Sequence, residues 1–339
     1  MLLESYSEPG SGLFRFEGRA MGTENVLLLQ GDDEEALRRA AQDAFETLDR
    51  LEQSLSKFLP QSDVSLLNAF GAERPVRVSA EVIELLALSR DAWEASGGAF
   101  DPTIGELVHA WGLVDMEGRI PTEGEILSLL ARKGMNRVGF DVDRSVAWFM
   151  SPGMSVDLGA IGKGYAVDAV SSRLQARGVT AGVFISGRSS IAAWGSAPGA
   201  QTWKIEVVHP EDPDESLAEL EVEPGSISTS GAYVRKFRKG WKEYGHLLDP
   251  RTGRPAEGVA AVTVWTESAL LGDVLSTAIF ILGVSALEAG GCVERLARAW
   301  SPSGEPRASI LLARPCPGRW GGLELETFHI GRPAFTLSR

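Results

Sequence analysis

Cysteine and histidine are scarce in this sequence, and their scarcity excludes two kinds of site. The 339 residues include only Cys292 and Cys316, with no CxxC motif. A disulfide framework or a cysteine-based zinc site would need more cysteines at closer spacing. We therefore expect two inert thiols in a reducing compartment. None of the histidines has zinc-motif spacing. The chain has four: His109, His209, His246 and His329.

Basic residues are also scarce relative to acidic ones, and this argues against a nucleic-acid binder. Lys and Arg number 33 against 46 Asp and Glu, which gives a formal net charge of −13. A protein that binds a phosphate backbone needs clustered Lys and Arg. We therefore predict no nucleic-acid partner.

The first residues lack the features of an export segment. The stretch MLLESYSEPGSG has no basic region, no long apolar core and no cysteine that could carry a lipid. A later apolar segment, residues 269–287, is interrupted by Gly272, Asp273 and Gly283. That segment is predicted to be a buried helix rather than a membrane span. We expect a cytoplasmic protein with no membrane anchor in this chain.

The chain does contain a succession of helix-like and strand-like segments that do not alternate strictly. Apolar residues at three- and four-residue steps predict a helix from about Glu34 to Lys57, capped by Asp32 or Asp33. Further helices are predicted at about 80–95 with Ser79 as cap, from a Thr122–Glu125 capping box to Gly134, after Lys163, and at about 270–282. The strand candidates are ENVLLLQ, SVAWFM, GVFIS, TWKIEVV, LAELEVE and VAAVTVW. Because several strands follow one another, the pattern favours an α+β fold over a doubly wound sheet.

One stretch, VDLGAIGKGYAVDAV at residues 156–170, surrounds Lys163 with three glycines at a predicted helix start. Backbone N–H groups at a helix N-terminus, together with a lysine, are suited to hold a phosphate. The stretch is not a Walker A loop, because Asp157 and Gly164 occupy positions where that motif needs Gly and Ser or Thr. A simple turn with a solvated lysine would give the same pattern, so both interpretations stay open.

A second stretch, GDVLSTA at residues 272–278, combines a carboxylate and a hydroxyl. Asp273 and Thr277 are four positions apart, so on a helix they share one face. Both are hard oxygen ligands suited to Mg²⁺. Taken alone, however, the fragment is explained more simply by an aspartate in the first turn of a helix and a threonine bonded to the backbone.

Two glycine-rich turns complete the set of candidate site segments. In GHLLDPRTGRP, residues 245–255, His246 lies beside a turn formed by Asp249-Pro250 and Gly253. An imidazole titrates near pH ~6.5 and suits general-base catalysis, although a lone histidine in an apolar run is more often structural. In GGAFDPTIGELVHAWG, residues 97–112, a tight turn precedes a short helix. That turn is either a simple loop or a grip on a flat ring by its backbone and Phe100.

Taken together, these segments resemble the ApbE family of Mg²⁺-dependent FAD:protein FMN transferases. AMGTENVLL, LSKFLPQSDVSLLN, GGAFDPTIGELVHAWG, VDLGAIGKGYAVD, ISTSGAYVRKF, GHLLDPRTGRP and VTVWTESALLGDVLSTAIFILG occur in that family's order, over about residues 15–285. The resemblance implies an N-terminal extension at 1–14. It also implies one ApbE-like domain at 15–339, of mixed, mainly antiparallel sheets and helices with a cleft between two lobes. Its activity would transfer the FMN half of FAD to a threonine hydroxyl of a separate, electron-transfer type acceptor protein, leaving AMP.

The resemblance further implies which residues form the site. Mg²⁺ would be bound by the side chains of Asp273 and Thr277 and by the backbone carbonyl of Ala160. Because the attacking group would be an unactivated alcohol, a base near the phosphorus is expected, and we infer that it is His246, with Asp249 or Asp157 orienting it. The glycines would let the FAD pyrophosphate approach the chain, and the charge of Lys163 would offset that of the phosphates. The residues implied to hold FAD are Met21, Phe58, Ala99, Phe100, Asp101, Asp157, Lys163 and His246.

One departure from the family pattern leaves the function open. The turn in ISGRSSIAAWG usually has two consecutive glycines, and here the second is Arg188. This arginine could clash with FAD, or it could grip a phosphate. The alternative functions are a Mg²⁺-dependent FAD pyrophosphatase, which would release FMN and AMP, and a non-catalytic FAD-binding protein.

Overall fold

Segments rich in β-branched and apolar residues form strands, and these strands pair as antiparallel ladders. The computed structural model describes residues 4–7, 12–114, 117–212, 214–231, 236–240, 242–288, 291–316 and 322–338. Its strands are β1 Glu4–Ser7, β2 Leu13–Ala20, β3 Thr23–Gln30, β4 Val76–Arg77, β5 Val138–Asp141, β6 Val146–Phe149, β7 Gly182–Ser186, β8 Ser190–Trp194, β9 Trp203–Val208, β10 Ser216–Val222, β11 Gly225–Gly231, β12 Lys236–Lys239, β13 Lys242–Gly245, β14 Leu248–Asp249, β15 Arg254–Pro255, β16 Ala261–Thr266, β17 Ala308–Pro315, β18 Leu323–Ile330 and β19 Phe335–Ser338. All six predicted strand segments are strands, namely β3, β6, β7, β9, β10 and β16.

Across the described residues, nine of these strands form one sheet in the order β1-β2-β3-β7-β8-β11-β16-β17-β18. Two three-stranded sheets have the orders β19-β10-β9 and β4-β6-β5, and β12-β13 and β14-β15 form hairpins. Every described pair is antiparallel. The prediction of an α+β fold with mainly antiparallel sheets is therefore confirmed.

The helices include the five longer ones that the sequence predicted and also the short helix predicted after the glycine-rich turn at 97–101. They are α1 Glu34–Leu55, α2 Asp63–Phe70, α3 Ala80–Ala95, α4 Gly105–Ala110, α5 Glu123–Leu130, α6 Gly162–Ala176, α7 Ala269–Leu282 and α8 Cys292–Trp300. Asp33 caps α1 through a 3.0 Å bond from the Ala36 N–H, and α5 starts with the predicted capping box. Ser79 is the N-cap residue of α3, as predicted, but its side chain makes no capping hydrogen bond. Helices α2 and α8 were not predicted, although α8 buries Val293, Leu296 and Ala297 on one face, because segments of eight or nine residues give few repeats of the 3.6-residue period.

Helices cover one face of the nine-stranded sheet, and a second sheet packs on its other face. Helix α7 contacts β11 and β16, α6 contacts β7 and β8, and α1 contacts β2. Side chains such as Phe16 and Phe45 fill the core on the helical side. Trp203, Leu220 and Trp265 fill a second core beneath the β19-β10-β9 sheet.

A third, smaller core lies around Trp111. It joins α4 and α5 to β14 through Leu107, Ile126 and Leu248, and the rings of Phe237 and Tyr244 pack against it. The Trp111 indole N–H donates to the Gly253 carbonyl at 2.8 Å, which ties the turn after β14 to this core.

Helix α7 passes through the main core. The segment Ala269–Leu287 is long and apolar enough to cross a membrane. However, 61% of its most apolar stretch of 18 residues is buried inside the fold. This burial agrees with the prediction of a core helix.

Candidate active site

A cleft of about 1190 Å³ opens where the C-terminal end of α1, the N-terminal end of α6 and one face of α7 meet. Residues around the small Trp111 core, including Val108, Leu113 and Leu248, form another part of its wall. Eleven of the twelve residues predicted for the site line this cleft: Met21, Phe58, Ala99, Phe100, Asp101, Asp157, Ala160, Lys163, His246, Asp273 and Thr277. The twelfth, Asp249, is not in the lining.

Close packing of α6 on α7 brings Lys163 near Asp273. A Cβ atom at Gly164 would lie 2.3 Å from the Ala269 carbonyl oxygen, so only glycine lets the two helices approach this closely. The Gly164 N–H donates to Asp273 Oδ2 at 2.7 Å. The glycine therefore fixes the position of the carboxylate on α7.

Asp168 on α6 holds the start of α7. Its carboxylate accepts hydrogen bonds from the Ser268 hydroxyl at 2.7 Å and from the N–H groups of Ala269 and Leu270 at 2.7 and 3.0 Å. The first N–H groups of a helix have no partner within it, and Asp168 supplies one from a neighbouring helix. Burial raises the pKa of Asp168 above its ordinary value, although these hydrogen bonds act in the opposite direction.

Asp273 is a buried carboxylate surrounded by donors. The Ser190 hydroxyl donates to its Oδ1 at 2.9 Å, in addition to the bond from Gly164 to Oδ2. Burial raises its pKa, and the Lys163 charge and hydrogen bonds from Ser228, Ser190 and Gly164 act in the opposite direction. The Lys163 ammonium donates to the Ser189 hydroxyl.

The oxygens around Asp273 fit a hard cation. A carboxylate has about four lone-pair sites, so the bonds from Ser228, Ser190 and Gly164 still leave one for a metal. The Thr277 hydroxyl lies one helical turn further along α7, 3.4 Å from the Ser230 hydroxyl. No hydrogen bond in the described part of the chain ends on the Ala160 carbonyl oxygen. Within the same part, no group of three His, Cys, Asp or Glu side chains could hold a metal alone. A cation here would therefore share its shell with water and substrate phosphates, as Mg²⁺ commonly does.

The sequence analysis assigned the glycines near Lys163 to close approach of the FAD pyrophosphate. The structure gives at least one of them a different role. Gly164 is required by the contact between α6 and α7. Gly159 and Gly162 line the cleft, but a Cβ at Gly162 would make only an ordinary 3.6 Å contact with Leu55. Packing between helices distant in the chain was not visible in the local pattern.

Phe58 is an exposed aromatic ring at the rim of the cleft. Its side chain is 62% exposed, which is unusual for phenylalanine. The Lys57 ammonium lies 5.1 Å from the ring centroid and 2.6 Å from Asp157 Oδ2. Asp157 Oδ1 also accepts the Gly159 N–H at 2.9 Å. The rim thus offers a flat apolar surface beside a paired cation.

Met21 lies in the tight turn between β2 and β3 with a positive φ of 54°. Such a backbone conformation is uncommon for residues other than glycine and is often found at functional sites. The side-chain amide of Asn25, which is buried, holds this turn through bonds to the carbonyls of Ala20 and Thr23 at 3.0 and 3.3 Å.

The turn at 99–101 is more structural than the sequence indicated. Ala99 and Phe100 are almost fully buried, so the proposed grip of the Phe100 ring on a flat ligand does not fit. The Asp101 carboxylate is bound by Lys133 at 2.8 Å and by the Thr103 hydroxyl at 2.6 Å, with its side chain fully buried. Asp101 can therefore offer its backbone to a ligand in the cleft, but not its charge.

His246 and Asp249 occupy different environments. His246 is half-buried in the cleft wall. Asp249 binds the Arg251 guanidinium through both carboxylate oxygens, at 2.9 and 2.8 Å, and also accepts the Arg251 N–H. The orienting role predicted for Asp249 does not fit this geometry, because its carboxylate shapes the turn that follows β14.

Known proteins share this chain's sequence pattern and its fold. Residues 21–290 match the ApbE family. This chain belongs to the ApbE family. An FAD:protein FMN transferase of Klebsiella pneumoniae is 30% identical over 274 residues, which are 80% of this chain and 83% of that protein. The ApbE protein of Thermotoga maritima superposes with a TM-score of 0.78 at 28% identity, covering 93% of this chain and 96% of that one. The apo flavinyl transferase ApbE of Pseudomonas stutzeri gives 0.76 at 27%, covering 96% of each.

Several polar residues of this ApbE chain were missed as site residues. Ser189 and Ser190 bind Lys163 and Asp273, and Ser230 on β11 bonds Ser276 at 2.9 Å. For Ser230 the sequence did give an indication. Its strand, GSISTSG, carries more hydroxyl side chains than is usual for a strand that faces an apolar helix. Arg188 is exposed where it lines the cleft, and no ion pair involves it among the described residues.

Proposed function

We propose that this protein transfers the FMN moiety of FAD to a threonine hydroxyl of a separate acceptor protein, with Mg²⁺, and releases AMP. One observation carries the proposal: Lys163 on α6 and Asp273 on α7 line a single cleft together with Thr277 and His246, and the charge of Lys163 acts on the Asp273 carboxylate. The names of related proteins in the same family support the reaction class. A cytoplasmic location stays a prediction.

The cleft suits the anionic centre of FAD. Lys163 and Arg188 would offset the negative charge of the two phosphates, and the exposed Phe58 ring could stack on a flat ring system. Asp273, Thr277 and the Ala160 carbonyl would hold the cation. When bound, Mg²⁺ would neutralise charge that develops on the departing phosphate.

In the proposed reaction, the threonine oxygen attacks the phosphorus of the FMN half. A new O–P bond forms as the bond to the AMP oxygen breaks, and AMP leaves with that electron pair. His246 accepts the hydroxyl proton, a contribution worth roughly 10²–10⁴-fold in rate. Asp157, already bound to Lys57, supports the rim beside Phe58 rather than the base.

The test is covalent labelling of an acceptor. The flavin-free form of an electron-transfer protein that carries FMN on a threonine is incubated with this protein, FAD and Mg²⁺. Flavin fluorescence is then measured on the denatured acceptor. We compare the wild type with Asp273→Asn, and with Asp91→Asn, which changes an exposed aspartate on α3 outside the cleft.

Wild type and Asp91→Asn should label the acceptor, and Asp273→Asn should label it at least ~100-fold more slowly, as expected for losing several kcal/mol of charge stabilisation. Asparagine keeps one acceptor oxygen where Asp273 has two, so it loses the bond from Ser190 or the bond from Gly164, and the melting temperature of each variant is measured to establish that it is folded. Full activity in Asp273→Asn would refute the metal assignment. AMP release without labelling would indicate a pyrophosphatase, and FAD retention without AMP would indicate a binding protein.

A further inference from the structure

A second groove, of about 270 Å³, runs along one edge of β9. Five consecutive residues of that region, 204–208, line it. Side chains alternate between the two faces of a strand, so a groove against one face would touch only every second residue. The groove therefore follows the strand's edge. β9 is the end strand of its sheet, and no strand in the described ranges pairs with its outer edge.

Two hydrogen bonds near the ends of the β9–β10 pair show which main-chain N–H and C=O groups of β9 point towards β10. The His209 N–H donates to the Glu215 carbonyl at 2.8 Å, so this position faces β10. Hydrogen-bonding groups alternate in direction along a strand. Positions 203, 205 and 207 therefore also face β10.

The pairing of β10 with β19 leads to the same assignment of the β9 groups. The Glu223 N–H donates to the Ala334 carbonyl, away from β9. Val222 therefore faces β9, where it opposes Trp203. Lys204, Glu206 and Val208 are then left with N–H and C=O groups that point to the open edge.

The opposite wall of the groove is apolar. Ile185, Ile191 and Ile227 are directly paired across β7, β8 and β11, so they form a row. All three line the groove, and Ile185 and Ile191 are only half-buried. An extended chain added to β9 would place alternate side chains over this isoleucine row.

The groove continues into the cleft. Five residues line both: Ile185, Gly187, Arg188, Ser189 and Thr229. The loop that leaves β9 also reaches the cleft, where Pro210 and Glu211 contribute to the lining. A chain lying along β9 is thereby led towards Lys163 and Asp273.

We propose that the acceptor segment carrying the threonine binds as an added strand on the free edge of β9. This inference rests on the proposed function, since it names how that acceptor is held. Main-chain hydrogen bonds to positions 204, 206 and 208 supply affinity, and the isoleucine row selects apolar side chains beside the threonine. FAD occupies the cleft independently of this edge.

The test compares Glu206→Pro with Glu206→Ala. Proline removes the outward N–H but no bond within the sheet, and edge strands tolerate it there. Alanine removes the same side chain and keeps the N–H. The KM for the flavin-free acceptor should be at least ~5-fold higher in Glu206→Pro than in Glu206→Ala, as expected for losing one or two hydrogen bonds. FAD affinity should be equal in the two variants.

Amide hydrogen exchange of the wild type gives a second measurement that needs no variant to fold. The amides of Lys204, Glu206 and Val208 should exchange more slowly once the acceptor is added. If the wild type labels the acceptor while neither KM nor amide exchange changes, the docking site is wrong and the transfer activity stands. Protection that appears without acceptor, together with a dimeric mass, would assign the edge to a second copy. If the wild type labels no acceptor, both proposals fail.

Discussion

Polar side chains in and beside the cleft are either fully bonded within the protein or left open to a ligand. The carboxylates of Asp101 and Asp249 are bound by Lys133 and Arg251, so neither can serve a reaction directly. Arg188, by contrast, is exposed at the cleft wall. A residue's presence in a motif therefore does not establish its chemical role.

His246→Ala should reduce the rate of flavin transfer by about 10²–10⁴-fold, because a positioned base is lost. The Kd for FAD should change by less than about threefold, because the pyrophosphate is held by other groups. Single-turnover transfer and equilibrium FAD binding measure the two effects. His109→Ala is the control, since His109 is exposed on α4 and outside the cleft. Equal losses of rate and affinity would reduce His246 to a binding role.

Arg188→Gly, which restores the usual glycine, should weaken FAD binding by about fivefold, the loss of roughly 1 kcal/mol from an exposed charge contact. Arg188→Lys should keep most of the affinity because it keeps the charge. Both are measured by quenching of FAD fluorescence. Tighter binding in Arg188→Gly would instead show that the arginine obstructs the site.

Among the elements, the pair α6 and α7 determines the geometry of the site. The sequence predicted both helices, and the resemblance to a known family implied the roles of Asp273 and Lys163. The reason that they meet was not predictable. Gly164 against Ala269 and Asp168 at the start of α7 are contacts between segments about 100 residues apart, and no local pattern encodes them.

Substituting two glycines of the same motif distinguishes a glycine required for helix packing from one that only lines the cleft. Gly164→Ala should lower the free energy of unfolding by about 1–3 kcal/mol, because its Cβ would overlap the α7 backbone and push Asp273 out of place. Gly162→Ala should change it by less than about 1 kcal/mol, because its neighbours are at ordinary distance. Urea denaturation and Mg²⁺-dependent transfer measure both. Similar losses in the two variants would contradict the role assigned to the helix contact.

At the scale of the whole molecule, the net charge does not describe how charged residues are distributed around the cleft. The formal net charge is −13, and the cleft lining carries both signs, with five basic residues, among them Lys163 and Arg188, and six acidic ones, among them Asp157 and Asp273. In the proposed function, the FAD phosphates would lie near Lys163 and Arg188, and the acidic residues of the same wall would face them or bind the cation. Composition argues against a nucleic-acid partner, but it could not show which charged residues surround the cleft.

Strand order is the other property of the whole molecule that sequence did not provide. TWKIEVV was predicted as a strand and is one, β9. That β9 ends its sheet, beside the isoleucine row and the cleft, depends on pairings among strands far apart in the chain. A sheet edge has no signature within a single strand.

The most direct measurement is the molar ratio of AMP released to FMN covalently bound on the acceptor, in one reaction with FAD and Mg²⁺. A transferase gives one AMP for each flavinylated acceptor, with the added mass on a threonine. AMP accompanied by free FMN and an unmodified acceptor would contradict the proposed transfer.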